Sequence, residues 1–336
     1  MAKETGGLGG AVKLRRTVAP VFVLAAALVL GAVTPLTVSS PAFAASSGKN
    51  GRIAYERDGD IYTVRPDGTR VRRVTFNKDS HDPAWGPGGY RMLYRRNGHI
   101  WIMGAAGRHK APLGLAGSAP SWAPTARRFV YSTYTGQPGS TGGRLMIYTF
   151  ATKKSVPITP PPGTDPQFPL GAVQPAWSPH GNEIVFGNWQ PGTSDSPEQI
   201  DIWLIRPDGS DARPLPTIER GGTEPTWSPD ASRIAFLLTA ISRGGPSWSV
   251  FLGIARPDSP QRPQRLRDGA YGADSVAWAP GGHWIVTTHP YPCPVDSSAC
   301  EAPGLWLLHP DGSGVHRILG GRSNWVGVDW QRVPGS

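Results

Sequence analysis

Short apolar runs recur along this chain, three to five residues long and closed off by Gly, Pro, Asp or Asn. Runs of that length rich in Ile, Val, Phe and Tyr read as buried strands, because a helix needs ten or more residues of a different period. Nine residues before the end of one such run stands a tryptophan, in phrases such as Pro83-Ala84-Trp85-Gly86-Pro87, Pro175-Ala176-Trp177-Ser178-Pro179 and Pro225-Thr226-Trp227-Ser228-Pro229-Asp230. The run itself is predicted to end on an aromatic at Tyr94, Tyr131, Phe186 and Phe236, with Thr287 as the exception. A third apolar segment follows at Asp60–Val64, His99–Met103, Arg144–Tyr148, Asp201–Ile205, Phe251–Ile254 and Gly304–Leu308. Three of these lead into Arg-Pro-Asp-Gly or His-Pro-Asp-Gly, where Pro fixes φ and Gly permits a positive φ. A short fourth strand is expected near Val74-Thr75, Leu215 and Ile318-Leu319.

The phrase occurs at Trp85, Trp122, Trp177, Trp227, Trp278 and Trp330, at intervals of 37, 55, 50, 51 and 52 residues. A four-stranded unit repeating at about 40 to 50 residues is the signature of a propeller blade. Gly51-Arg52-Ile53-Ala54-Tyr55 opens the repeats without a tryptophan strand before it, and Val328-Asp329-Trp330-Gln331 ends them with nothing after it. The expected fold is therefore all-β: a six-bladed β-propeller of four-stranded blades, closed by the C-terminal strand completing the first blade. The propeller spans residues 51–331, followed by a tail at 332–336. Closure removes the free sheet edges that invite aggregation.

The combination Pro-x-Trp-Ser-Pro-Asp-Gly, Ile-Ala-Phe, Asp-Ile-Tyr or Asp-Ile-Trp, and Pro-Asp-Gly resembles the TolB-like six-bladed β-propeller repeat, also called the WD-repeat-like β-propeller repeat. The resemblance covers residues 51–331. It implies the fold, whereas function varies, since the repeat is shared by periplasmic binding proteins, by non-catalytic domains of prolyl oligopeptidase-like enzymes and by some polysaccharide lyases. In TolB an α/β domain precedes the propeller and the protein binds a peptidoglycan-associated lipoprotein. Here the propeller is expected to begin almost directly after the leader, without that domain.

Residues 1–44 read as a signal peptide. Lys3, Lys13, Arg15 and Arg16 precede an apolar stretch from Val18 to Val33, and Ala42-Phe43-Ala44 offers an A-x-A cleavage site ahead of a short linker at 45–50. The competing reading is an uncleaved anchor over Val18 to Val38, about the length that spans a bilayer. Arg15-Arg16 leaves open the twin-arginine or the general export route. Cys293 and Cys300, the only cysteines, lie close together in the last repeat, and export to an oxidising compartment favours a disulfide between them.

The chain carries +10, and loss of the leader leaves +7. Charge gains meaning when split by face. Loops after strands two and four emerge on one side of a propeller, and there they hold thirteen acidic and eight basic residues, together with the long insertions. Loops on a rigid scaffold carry function, which places the binding surface on this acidic insertion face, around the channel mouth. Tolerated insertion is the bland alternative. Candidate ligand-binding residues are Asp79, His81, Asp82, Glu219 and Glu224, with Trp189 and Trp248 as aromatics within insertions. The six repeated tryptophans are assigned to packing.

Chemical motifs are scarce. The sequence holds no G-x-S-x-G, no H-E-x-x-H and no C-x-x-C, and no catalytic residues, cofactor or metal are assigned. The expected function is a secreted or envelope-associated, non-enzymatic propeller, a monomer with no membrane span after cleavage, binding a protein, peptide or cell-envelope component and no nucleic acid. The alternative is a propeller hydrolase or lyase whose channel mouth uses His81 and neighbouring acids.

Overall fold

A computed structural model describes residues 48–134, 143–168, 170–190, 199–215, 221–241, 248–259, 261–266, 273–289, 303–321 and 323–334. The leader, Glu219, Cys293 and Cys300 lie outside the described residues, so the signal peptide and the disulfide remain expectations from sequence.

Six four-stranded antiparallel sheets form the blades of a propeller ring, with no helix among the described residues. Each tryptophan phrase supplies a blade's first strand: Ser80–Trp85 in blade 2, Ser118–Trp122 in blade 3, Ala172–Trp177 in blade 4, Gly222–Trp227 in blade 5 and Ser275–Trp278 in blade 6. Blade 1 draws its first strand, Trp325–Val333, from the end of the chain and its second, Lys49–Arg57, from the start. Their pairing sets Ile53 opposite Trp330 and Tyr55 opposite Val328. It continues to Lys49 opposite Val333, so the seam is longer at both ends than the 51–331 span read from the repeat.

Local chemistry explains the hairpins. In blades 1 and 2 the second and third strands are joined by two-residue turns, Asp58-Gly59 and Asn97-Gly98, with all four residues at positive φ between 48 and 76°. Asp-Gly and Asn-Gly are the sequences that make a primed turn, whose twist matches that of the strands it joins. In blades 4 and 5 the second strands do not stop at the aromatic. They run on as Ile184–Gln190 and Ile234–Ile241, because apolar and strand-forming residues continue past Phe186 and Phe236. Trp189 is thus a strand residue, paired with Ile200, and Trp248 opens the third strand of blade 5. Parts of two segments that the sequence offered as insertion loops, 187–200 and 237–249, are thus extended hairpin.

The apolar core is divided among the junctions between blades. Trp85, Met92, Tyr94 and Met103 of blade 2 pack with Ala54, Ile61 and Val74 of blade 1. Across the closing junction, Ala277, Val286, Leu305 and Leu307 of blade 6 pack with Ile53, Tyr55, Trp325 and Trp330 of blade 1. The other four clusters straddle the remaining junctions in the same way. Burying a large apolar side chain contributes about 1.5–3 kcal/mol, and here that contribution is available only when two neighbouring blades are both in place.

Removing residues 325–336 should therefore take away the first strand of blade 1 and open two junctions at once. The expected outcome is loss of cooperative unfolding in scanning calorimetry. A truncated protein that melts in one transition at the temperature of the full chain would refute closure by this strand.

Candidate functional site

The six first strands surround a cavity of about 710 Å³, the central channel of the ring. Three residues before each tryptophan a β-bulge breaks the strand pairing in five of the six blades. The residues there are Asp82, Ala119, Gln174, Glu224 and Gly327, at φ 52, 47, 50, 52 and 53°. A left-handed conformation is uncommon outside glycine, and a bulge of this kind re-aims the side chain. Here all five residues line the channel. Ser275 holds the same place in blade 6, where pairing is regular. Gly327 leaves its place to a neighbour: a Cβ there would stand 3.0 Å from Oε2 of Glu56, whose carboxylate faces the same space.

A first strand has one ladder partner, so its other edge presents unpaired N–H and C=O groups to the channel. Side chains of the preceding blade meet these groups. The Ala119 N–H donates to Asp82 Oδ2 at 3.1 Å, the Glu224 N–H to Gln174 Oε1 at 3.3 Å, and the Val328 N–H to Ser275 Oγ at 3.1 Å. Deeper in the channel, the Trp177 N–H donates to Ser121 Oγ at 2.9 Å and the Trp85 N–H to Asp329 Oδ2 at 2.5 Å, while Asp329 Oδ1 accepts from its neighbour Trp330 at 2.8 Å. The indoles of Trp122 and Trp227 add donors to the Ala84 and Ala176 carbonyls at 3.0 and 3.1 Å. Four of the repeated tryptophans, Trp85, Trp122, Trp177 and Trp227, thus join blades by hydrogen bonds as well as by packing.

Carboxylates crowd this channel. Glu56, Asp82, Glu224, Asp274 and Asp329 all line it. Burial raises Glu224 to about 8, helped by the charges of Asp82, Asp274 and Glu56. Asp329 is raised to about 7 by burial, against the pull of its two backbone donors. Asp274, at the rim, is raised to about 6 by desolvation within the mouth and by the charge of Glu56. Arg95 offsets part of this charge through Nε, 2.8 Å from Asp82 Oδ2. His81 sits between two acids, with Nδ1 against Glu56 Oε1 and Nε2 3.3 Å from Asp79 Oδ1. Its hydrogen bond to Glu56 raises the pKa of His81, while burial raises that of Glu56.

An aromatic pair shares the cavity with the acids. Tyr134 and Trp189 meet edge to face, with ring centroids 5.8 Å apart, and both line the mouth with Ile200. The structure therefore brings His81, Asp82, Trp189 and Glu224 together in one cavity and sets Asp79 beside His81. For Trp248 it gives a place in the strand only. Sequence reasoning missed Glu56, Asp274, Asp329, Arg95, Gln174 and Tyr134. A signal existed for Gln174, which holds the same offset from its tryptophan as Asp82 and Glu224. Glu56 entered the count of acids on the insertion face but was not singled out; it reaches the channel where Gly327, of a strand distant in sequence, has no side chain.

No family model and no curated protein matches this chain. Solved structures do. TolB from Acinetobacter baumannii superposes with a TM-score of 0.65 at 16% identity, over 84% of this chain and 66% of that one. A putative TolB from Agrobacterium tumefaciens superposes with a TM-score of 0.60 at 18% identity, over 82% of this chain and 90% of that one. The chain thus spans just under two thirds of the Acinetobacter protein. At these identities the likeness shows the six-bladed fold.

The acids of the channel make stability depend on pH. Glu224, Asp274 and Asp329 bind protons more tightly in the fold than their usual values of 4.5, 3.8 and 3.8. The folded chain therefore holds more protons than the unfolded one between about pH 4 and 8, and stability falls as pH rises through that window. Melting temperature should decline from pH 5 to pH 8.5. Glu224→Gln, which keeps the shape and removes the ionisation, should flatten the decline and melt higher than wild type at pH 8.5. An unchanged slope in the variant would show that Glu224 does not titrate in the channel.

Proposed function

We propose that this chain is an exported, non-enzymatic binding propeller of the cell envelope, whose acidic channel mouth receives a protein, peptide or envelope component presenting a cationic group beside apolar surface. The carrying observation is the convergence of Glu56, Asp82, Glu224 and Asp274 in one cavity with the Tyr134–Trp189 pair. Like charges gathered in a partly desolvated cavity repel one another, and an entering ammonium or guanidinium group relieves that repulsion. The aromatic pair supplies contact area at low entropic cost and a face for cation–π attraction. The N-terminal leader pattern supports export, and the likeness to TolB folds agrees with a scaffold for binding.

The hydrolase or lyase reading places His81 with neighbouring acids in a channel-mouth site. Both of its ring nitrogens face carboxylates, Glu56 and Asp79, which leaves neither directed at an incoming substrate. That geometry favours an electrostatic role for His81 in setting the charge of the mouth.

A short lysine peptide tests the reading directly. Pentalysine should bind wild-type protein in titration calorimetry, more tightly at pH 8 than at pH 5.5 as Asp274 and Glu224 ionise, and more weakly with added salt. Asp274→Asn with Glu224→Gln should weaken binding about tenfold, equivalent to ~1.4 kcal/mol. Asp258→Lys, on an exposed turn of the other face, should leave it unchanged. Binding that survives the channel pair and fails in Asp258→Lys would place the functional face on the wrong side of the ring.

A further inference from the structure

Blades 1 and 4 share a turn and differ in its charge. In blade 4, Arg206 and Arg213 approach Asp211 at 3.5 and 3.1 Å, and Arg213 also meets Glu183 at 2.5 Å. Arg213 also lies 3.9 Å from Asp258 Oδ1, so the two arginines there are met by three acids. The strand registers assign the corresponding positions of blade 1. Ile53 opposite Val64 matches Ile184 opposite Ile205, and Thr63 opposite Arg72 matches Leu204 opposite Arg213. Counting from these pairs, Arg65 and Arg72 stand where Arg206 and Arg213 do. Arg52 replaces Glu183, and Arg70 replaces Asp211. The backbone agrees, since Arg70 and Asp211 share a left-handed φ of 55 and 58°.

Blade 1 therefore gathers four guanidinium groups where the same fold elsewhere pairs its arginines with acids. Among the described residues none of the four forms an ion pair. The nearest acid, Asp67, lies beside Arg65 and accepts from the N–H and hydroxyl of Thr69. Arg52 Nη1 donates to the Arg70 carbonyl at 2.9 Å, which fixes one guanidinium over the turn. Arg52, Arg65 and Arg72 line a recess of about 450 Å³, with Ala105 and Ala106 of blade 2 on its other side. Burial and the charges of Arg65, Arg72 and Arg70 lower the pKa of Arg52. Such repulsion costs stability, and an anion in the recess removes it.

We propose that this recess, on the face opposite the acidic mouth, is a binding site for a phosphate group. A guanidinium presents a planar fork of donors. A carboxylate occupies one fork with its two oxygens, whereas a tetrahedral phosphate offers oxygens to several forks from different directions and carries a second charge. Three arginines lining one recess fit the second geometry. The site stands apart from the channel mouth in residues and in sign, so each is tested independently of the other.

The test uses the protein's own blade 4 as the template. Arg52→Glu with Arg70→Asp installs the acids of Glu183 and Asp211 in blade 1. Inorganic phosphate, titrated at constant ionic strength, should bind wild-type protein saturably and at least tenfold more tightly than acetate. The double variant should lose that binding tenfold or more while melting at a higher temperature. Should the double variant fold poorly, Arg72→Gln serves, with the same loss expected. Glycerol 3-phosphate and vesicles containing phosphatidylglycerol separate the two sources of the group. Binding of the soluble esters alone marks a free phosphate ligand, and sedimentation with vesicles marks a lipid headgroup. Absence of saturable phosphate binding, equal affinity for acetate, or full binding in the folded variants would overturn the proposal.

Discussion

Every blade of this ring begins with a strand that has a ladder partner on one side only, and the molecule is organised around satisfying the other side. The exposed edge faces a channel too narrow to bring in another strand, so side chains of the preceding blade supply the acceptors. Asp82, Gln174, Ser275, Ser121 and Asp329 each accept a backbone N–H from the next blade. A buried donor left without a partner costs about 1–3 kcal/mol, which makes these contacts between blades as important to the ring as the apolar clusters outside them. Both depend on adjacency of blades, and neither exists within a single one.

This requirement explains why the channel is polar. Acceptors are needed along its wall, and carboxylates are strong acceptors of backbone hydrogen bonds. Several brought into one cavity raise each other's affinity for protons. The bulges compound the effect by turning Asp82, Gln174 and Glu224 into the same space. Structural wiring and surface charge are therefore carried by the same side chains, and a partner that binds at the mouth touches groups that also hold the blades together.

The fold was legible from the sequence because the tryptophan phrase marks each first strand and fixes the register of the rest. Strand ends were less legible. An aromatic closes the buried part of a second strand, but in blades 4 and 5 pairing continues through Gln190 and Ile241, beyond any change in apolar pattern that would mark a boundary. The acidic face was visible as a count of charges, and Asp82 and Glu224 followed from it. Glu56 was counted in it but not singled out, since it reaches the channel only beside Gly327 of its paired strand, and Asp329 was not counted, since it acts across the junction to Trp85. The arginine recess was hidden for a further reason: four arginines in a basic chain look ordinary until blade 4 shows that two of those positions hold acids.

Blade 1 is assembled from segments 279 residues apart, as the bond from the Trp330 indole to the Gly51 carbonyl records. Loop closure of that span is slow compared with the local hairpins of the other five blades. Folding should thus proceed through an open arc whose two terminal surfaces stay apolar until the last strand arrives. The seam is where the arc is most exposed to aggregation. Unfolding is expected to start there as well, which would make the lifetime of the native ring depend on one strand of nine residues, Trp325–Val333.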